Sequence, residues 1–344
     1  MTQDKIIRDC EKLLDGGAED PMYQMMLVMM NFIMQMDAER KTGVAKGEHS
    51  EERKDYMSGT RERRFDTSLG IEDISAAEVS AMNKSLDDIV RDFKEKPLEK
   101  EYPVLWIDAV YEKIRVNKHV TSMAVMIVKA INLDGKPEII AIEAMDNESE
   151  VTYTEFFNKL KARGIEKVWL CVSDAHTGLQ AAIRKCWTGS VWQRCKIHFM
   201  RNIIATVPKK QKESFGAELK KIWQADTKED AIKAKDAFVE KYAEIYPTAI
   251  ECLEEGFEDS IQYYGFSKID FRKISSTNTL ERLNKEVRRR SRVVGIFPSI
   301  ASYERLMTAH LIEYSEDPLT GVSYISADSL RKQKIEWEKE QKVA

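Results

Sequence analysis

Lys167-Val-Trp-Leu-Cys-Val-Ser173, followed at once by Asp174 and then by Ala-His-Thr-Gly-Leu-Gln-Ala-Ala-Ile183, is the stretch on which the fold turns. A run this apolar, without polar alternation, reads as a strand buried on both faces, as strands are when helices cover a sheet from two sides. An aspartate just past such a strand stands where open α/β sheets place their sites. The plain alternative is a turn or helix-cap carboxylate.

Upstream, Val104–Asp108, Thr121–Ile131 and Pro137–Ala144 are β-rich, with Asp134-Gly135 as the turn between the last two. Glu150–Arg163 is an amphipathic helix closed by Gly164, Thr177–Cys186 is a second helix, and Ser190–Gln193 is a short final strand. The order β-β-β-α-β-α-β predicts an α/β fold, a mixed sheet flanked by helices. Inside the first strand Asp108 interrupts the run Trp106-Ile107 and Ala109-Val110. A carboxylate there is costly unless a cation or a metal pairs with it, or unless it is a satisfied core group.

Downstream, residues 196–265 carry helical periodicity and dense charge, with Trp223, Phe238, Tyr242 and Tyr246 as apolar anchors and Pro247 as a break. Thr277–Arg292 is again a helix. Leu280, Leu283 and Val287 fall on one face, and Asn278, Glu281, Lys285, Arg288 and Arg292 on another. Glu281 is either a surface partner of Lys285 or a metal-binding acid at the head of a cationic stripe that follows a phosphate backbone. Arg282, Lys285, Arg288, Arg289, Arg290 and Arg292 face a single acid, Glu286, in this segment. Ser299–Tyr314 is one further helix, and Leu330–Val343 reads as a charged, frayed tail.

At the other end, residues 1–70 contain helical segments, including the Met-rich Met22–Met36, which is too short and too polar to span a bilayer. The charged run Glu48–Arg64 reads as a linker. Ser75 and Glu78 form a capping box for a helix striped with Val79, Met82, Leu86, Ile89 and Phe93 and ended by Pro97. The chain thus divides into 1–70, 71–100, 101–195, 196–270, 271–315 and 316–344. Its 344 residues, 43% hydrophobic and 33% charged, suit a soluble protein of two or three domains. Five scattered cysteines suit a reducing, cytoplasmic setting, and no secretory leader or membrane anchor is expected. A net charge of −4 does not exclude a polynucleotide partner, because local basic patches do the binding.

Four segments in order, WIDAVYEKIRV (106–116), VSDAHTGLQAAI (172–183), WQRCKIHFMRN (192–202) and TNTLERLNKEVRRRSRVVGIFPS (277–299), resemble the Mutator-type transposases of prokaryotic insertion sequences. The resemblance covers about residues 100–315. It implies a ribonuclease-H-like sheet interrupted by an all-α insertion, here 196–270. It also implies a catalytic Asp-Asp-Glu triad at Asp108, Asp174 and Glu281 that holds two Mg²⁺ or Mn²⁺ ions for cleavage and strand transfer. The implied partners are DNA, both the element's terminal inverted repeats and target DNA, and further copies of the chain in a homodimer or larger oligomer. Cys195 and His198 match the family's Cys-x-x-His signature. By spacing alone this is half a zinc site with no second half, so a structural role is expected. His176 and Arg282 lie beside triad members, where each either contacts the scissile phosphate or is structural, and Asn278 is a further accessory candidate.

Residues 50–70 resemble the family's N-terminal region, and Ile74–Phe93 the last helix of its helix-turn-helix DNA-binding unit. Between these the family carries a longer segment, whereas here Gly70 runs straight into Ile71. Two other readings are therefore weighed. A shortened, non-catalytic DNA-binding remnant is favoured by the missing segment and opposed by the intact triad. Another ribonuclease-H-like nuclease would share the metal chemistry without needing the helical insertion.

Overall fold

The computed structural model describes residues 76–316 and 323–343. The expectations for residues 1–70, the Gly70–Ile71 junction and the Ser75 cap lie outside these. Helix α1 spans Ala76–Glu95. Of the part of its apolar stripe whose side chains are described, Leu86 and Phe93 are half-buried while Ile89 is 40% exposed.

Five strands follow: β1 (Glu101–Val116), β2 (His119–Ile131), β3 (Pro137–Met145), β4 (Lys167–Ser173) and β5 (Val191–Arg194), in the sheet order β3-β2-β1-β4-β5. The β1–β4 and β4–β5 pairs are parallel and β2–β3 is antiparallel, which makes the sheet mixed. Helices α2 (Glu150–Ala162) and α3 (Thr177–Cys186) provide the crossovers that parallel neighbours require. The apolar run that opened the reading is β4, an interior strand whose residues from Val168 to Ser173 are all buried. Strand β1 is much longer than the apolar Val104–Asp108. It turns into β2 through Asn117 and Lys118, both at positive φ (50° and 69°), a hairpin turn that lacks the usual glycine signal.

On one face of the sheet, Tyr102, Leu105, Ile107, Val168 and Cys171 pack with Tyr153, Phe156, Phe157 and Leu160 of α2 and Leu179 and Ile183 of α3. The expected frayed tail is instead a helix, α11 (Ala327–Val343), against the other face. There Trp337 stacks on Trp169 of β4 with ring centroids 5.8 Å apart, and Tyr324 meets Trp106 of β1 edge-on. Leu330, Gln333 and Trp337 are buried at helical spacing, and the intervening lysines and glutamates had masked that stripe. The segment leading into α11 donates from Tyr324 N and Ile325 N to the Gly135 carbonyl (2.8 and 3.2 Å). A Cβ on Gly135 would meet the Ile325 carbonyl oxygen, so this approach requires glycine.

Residues 196–274 contain no strand. They form α4 (Lys196–Ala205), α5 (Lys212–Ile222), α6 (Lys228–Tyr242), α7 (Pro247–Gly256), two short 3₁₀ turns and α8 (Phe271–Ile274). Phe215 packs edge-on against Phe238, Tyr242 and Tyr246, the anchors read from the sequence, and Pro247 begins α7. Buried Gln193 of β5 fastens this part by donating to Ser260 O (2.8 Å) and accepting from Tyr263 N (2.9 Å). Helices α9 (Asn278–Val294) and α10 (Ile300–Glu316) follow.

The described chain forms two compact units. The smaller combines residues 76–94, 113–121 and 296–309. Within it Phe297 bridges to β1 (Arg115 N to Phe297 O 2.8 Å, Phe297 N to Lys113 O 2.9 Å), and Arg305 and Glu304 of α10 pair with Asp87 and Lys94 of α1. The larger holds the rest, including every residue of the site below. Among the described residues no helix is long and apolar enough to cross a membrane.

Candidate functional site

The parallel register brings the first two carboxylates to the same end of neighbouring strands. Its last pair is Trp106 of β1 with Val172 of β4; Asp108 lies two residues further along β1 and Asp174 just past the end of β4, and the two carboxylates interact electrostatically. Both are half-buried. Asp174 Oδ1 accepts from Ala175 N (2.8 Å), so it also steadies the turn that leads to α3. Asp108 Oδ2 accepts from Asn284 Nδ2 of α9 at 2.7 Å.

Glu281 comes from the first turn of α9. Leu280, Leu283 and Val287 are fully buried as their spacing required, which fixes the helix's rotation and brings Glu281 to the flank of the buried face. The start of α9 is tied down by Cys195. Cys195 N donates to Ser173 O at the end of β4 (2.7 Å), and its Sγ accepts from Thr277 N (3.4 Å) and lies 3.3 Å from Thr277 Oγ1. Cys195 thus links the end of β4, through its backbone N–H, to the cap of α9, through its thiol. Along α4, His198 Nε2 stands 3.0 Å from Glu281 Oε1. One turn further, Arg201 Nη1 and Nη2 donate to Glu281 Oε1 and Oε2 at 3.0 and 3.2 Å. Glu281 therefore pairs across helices and not with Lys285.

The electrostatics couple these groups. Burial raises the Asp108 carboxyl above its usual range; Glu281 and Asp174 push it further up, and His198 opposes them. Burial of the Cys195 thiol is outweighed by His198, leaving it below its ordinary value. In return the thiol raises the imidazole to about 9 against the effect of burial, with Asp108 and Asp174 acting in the same direction. The site is a negatively charged group of carboxylates with cationic side chains leaning on it from α4.

The other candidates separate. Lys285, Arg288 and Arg292 are exposed on the Glu281 face of one unbroken helix, and Arg282 and Arg289 are exposed beside them, Arg289 paired to Glu286 at 2.9 Å. Asn278 is exposed at the helix start, outside the network. His176 stands at the N-terminal boundary of α3 without a side-chain capping bond and packs edge-on against Tyr153, ring centroids 5.3 Å apart. Arg290 corrects the expectation of a DNA contact, because it is 9% exposed and its Nη1 binds Glu313 Oε2 at 3.1 Å. Its position, half a turn from the exposed stripe, turns it to the protein. Arg290→Met is expected to lower stability by about 2 kcal/mol, less than for a fully buried pair because Glu313 keeps solvent contact. A shift in urea midpoint at constant slope measures this, and DNA affinity should not change. Weakened DNA binding at unchanged stability would return Arg290 to the DNA-binding face.

Arg282 also acts inward. Lys129 of β2 is lowered to about 8, first by burial and then by Arg282. Between that value and the ordinary lysine value the unfolded chain holds a proton that the folded chain has released, so stability rises with pH across the window. Lys129→Met should therefore stabilise the protein at pH 7, by about 1–2 kcal/mol once partial solvent access is discounted. Thermal melts should show this gain shrinking as pH rises above about 8; a gain independent of pH would assign it to packing instead.

Asn284 and Arg201 escaped the sequence reading. Asn284, three residues after Glu281, is a polar residue on an apolar flank. Arg201 continues the three-residue spacing of Cys195 and His198, a pattern visible only once α4 is known to face α9.

Residues 68–318 match the family described as Transposase, Mutator family. The transposase for insertion sequence element IS256 in transposon Tn4001 of Staphylococcus aureus is 38% identical over 268 residues, which is 76% of this chain and 68% of that protein. The transposase for insertion sequence element ISRM5 of Rhizobium meliloti is 37% identical over 260 residues (76% and 65%). That for IS1081 of Mycobacterium tuberculosis is 34% identical over 279 residues (80% and 67%). The chain spans about two thirds of the length of these curated relatives.

Proposed function

Because the chain belongs to the Mutator family of transposases, we propose that it cleaves and joins DNA strands by metal-assisted phosphoryl transfer at Asp108, Asp174 and Glu281. The observation that carries the reading is Asp108, a half-buried carboxyl raised above its usual range, bonded to a neutral amide and repelled by Asp174 and Glu281. Such a group is in want of a cation. Carboxylate oxygens are the donors that hard divalent ions take, so the set fits Mg²⁺ or Mn²⁺ in kind. It is not a closed ligand set as the side chains stand, since among the described residues no three such groups are gathered around one point. Glu281, engaged by Arg201 and His198, is the member that has to move.

When bound, a pair of such ions would supply activation of the attacking oxygen and stabilisation of the leaving one. The chain's own residues position these events. Asp108 and Asp174 would hold the ions from the sheet, Asn284 fixes the orientation of Asp108, and Cys195 fixes the start of α9 and with it Glu281. The exposed stripe of Lys285, Arg288 and Arg292 would track the phosphate backbone. Water would break the phosphodiester at the element end, leaving a 3′-hydroxyl on the element and a 5′-phosphate on the flank. That hydroxyl would then attack a target phosphodiester in the same site, joining the element to the target 5′-phosphate and releasing a target 3′-hydroxyl. We read the sheet as ribonuclease-H-like and residues 196–270 as its helical insertion. Joining a pre-cut DNA end to a plasmid in Mg²⁺ tests the reading against a simple nuclease, which would cut without joining. Neither cutting nor joining would leave the DNA-binding remnant.

A further inference from the structure

The proposal rests on the function above and concerns the third carboxylate. Both oxygens of Glu281 are taken by the Arg201 fork, at 3.0 and 3.2 Å, and Oε1 also faces His198 at 3.0 Å. A bidentate guanidinium–carboxylate pair is the strongest ordinary arrangement for either partner, and it leaves few lone pairs for anything else. The two partners differ in setting: Glu281 is 16% exposed, whereas Arg201 is 59% exposed and opens to solvent. Arg201 stands on α4, across from the helix that carries Lys285, Arg288 and Arg292, and a guanidinium is equally suited to a carboxylate and to a phosphate. We infer that Arg201 is a latch: without DNA it occupies Glu281, and on DNA it exchanges the carboxylate for a backbone phosphate, which frees Glu281 to bind a divalent cation.

The exchange couples cation loading to DNA binding through a single side chain. Until a phosphate arrives the third ligand is neutralised, and the enzyme is held short of a competent metal site away from its substrate. His198 keeps Glu281 at the mouth of the site during the exchange, because its contact uses one oxygen only.

Mn²⁺ titration without DNA, followed by electron paramagnetic resonance, tests the first half in a double-mutant cycle of Arg201→Ala and Glu281→Gln. Arg201→Ala should bind Mn²⁺ about tenfold more tightly than the unsubstituted protein, and the same substitution in the Glu281→Gln background should change nothing. An equal gain in both backgrounds would show simple charge repulsion, and no gain would show that the pair does not compete; either overturns the latch. The second half predicts that Arg201→Ala binds duplex DNA several-fold more weakly in EDTA, with a salt slope smaller by about one. Unchanged DNA affinity also overturns it. Arg201 is exposed, and circular dichroism checks that the variants fold. The underlying function fails differently: Asp108→Asn and Glu281→Gln would then leave strand cleavage intact, whatever Arg201 does.

Discussion

Glu281→Gln is expected to abolish strand cleavage, by at least about a thousandfold, while DNA binding stays intact or becomes tighter. Glutamine matches glutamate in shape and can still hydrogen-bond to Arg201 and His198, so the packing of α9 is preserved. Of the two ion pairs lost, the one with exposed Arg201 costs little stability, and His198 keeps a hydrogen-bond acceptor. It cannot offer an anionic oxygen to a cation, and that is the only property the proposed chemistry requires of the side chain. Affinity for DNA should hold or rise for two reasons: a negative charge leaves the vicinity of the phosphates, and Arg201 loses the carboxylate that occupies it. Asp108→Asn should share the loss of cleavage without lowering the melting temperature, since a neutral amide relieves the burial and repulsion that raise the Asp108 carboxyl. Gel assays for cutting and fluorescence anisotropy for binding separate the two properties. A Glu281→Gln protein that still cuts DNA removes the third carboxylate from the site.

The sheet was legible because its signal is local. An apolar run as short as 167–173, rich in β-branched and aromatic residues, reads as an interior strand. The alternation of strands with two amphipathic helices points to a mixed sheet covered by helices, though not to its strand order. Where tertiary contacts decide, the sequence was silent or misleading. The helix over 327–343 is dense in lysine and glutamate, and its buried stripe of Leu330, Gln333 and Trp337 includes a glutamine, so hydropathy alone read it as a tail. The two-residue turn at Asn117-Lys118 lacks glycine and so carries no strong hairpin signal, although asparagine tolerates positive φ.

The site was legible in its acids and not in their partners. Asp108 stood out because a carboxylate in an apolar strand needs a reason, and Glu281 because it heads a cationic helix face. Arg201 and Asn284 act through contacts across 80 and 176 residues of chain, which no periodicity reveals. Arg290 shows the converse: within a basic run every residue looks alike, and only the rotation of α9, fixed by Leu280, Leu283 and Val287, turns Arg290 inward and Arg288 and Arg292 outward.

That rotation makes the second large prediction specific. Replacing Arg288 and Arg292 together by glutamine should weaken binding to all DNA sequences, roughly tenfold to a hundredfold at physiological salt, and lower the slope of log affinity against log salt by about two. Each exposed guanidinium that meets a phosphate releases about one counterion, so two lost contacts remove about two from the slope. Sequence preference should not move, because backbone contacts position a duplex without reading it. At saturating DNA the rate of cleavage should be near that of the unsubstituted protein, since neither arginine touches the carboxylates. Glutamine is chosen over alanine because it retains length and helix propensity on an exposed face. One structural side effect can be checked directly. Arg288 and Arg292 hold down the carboxyl of buried Glu112, which burial raises and which accepts from Ser291 Oγ at 2.8 Å. The variant should therefore be compared by thermal melts before its affinity is interpreted. If the melts agree and the salt slope is unchanged, this face of α9 is solvated and DNA binds elsewhere. If affinity falls with an unchanged slope, the arginines support the helix without touching phosphate. Only a loss of affinity together with the shallower slope places the backbone along the face that begins at Glu281.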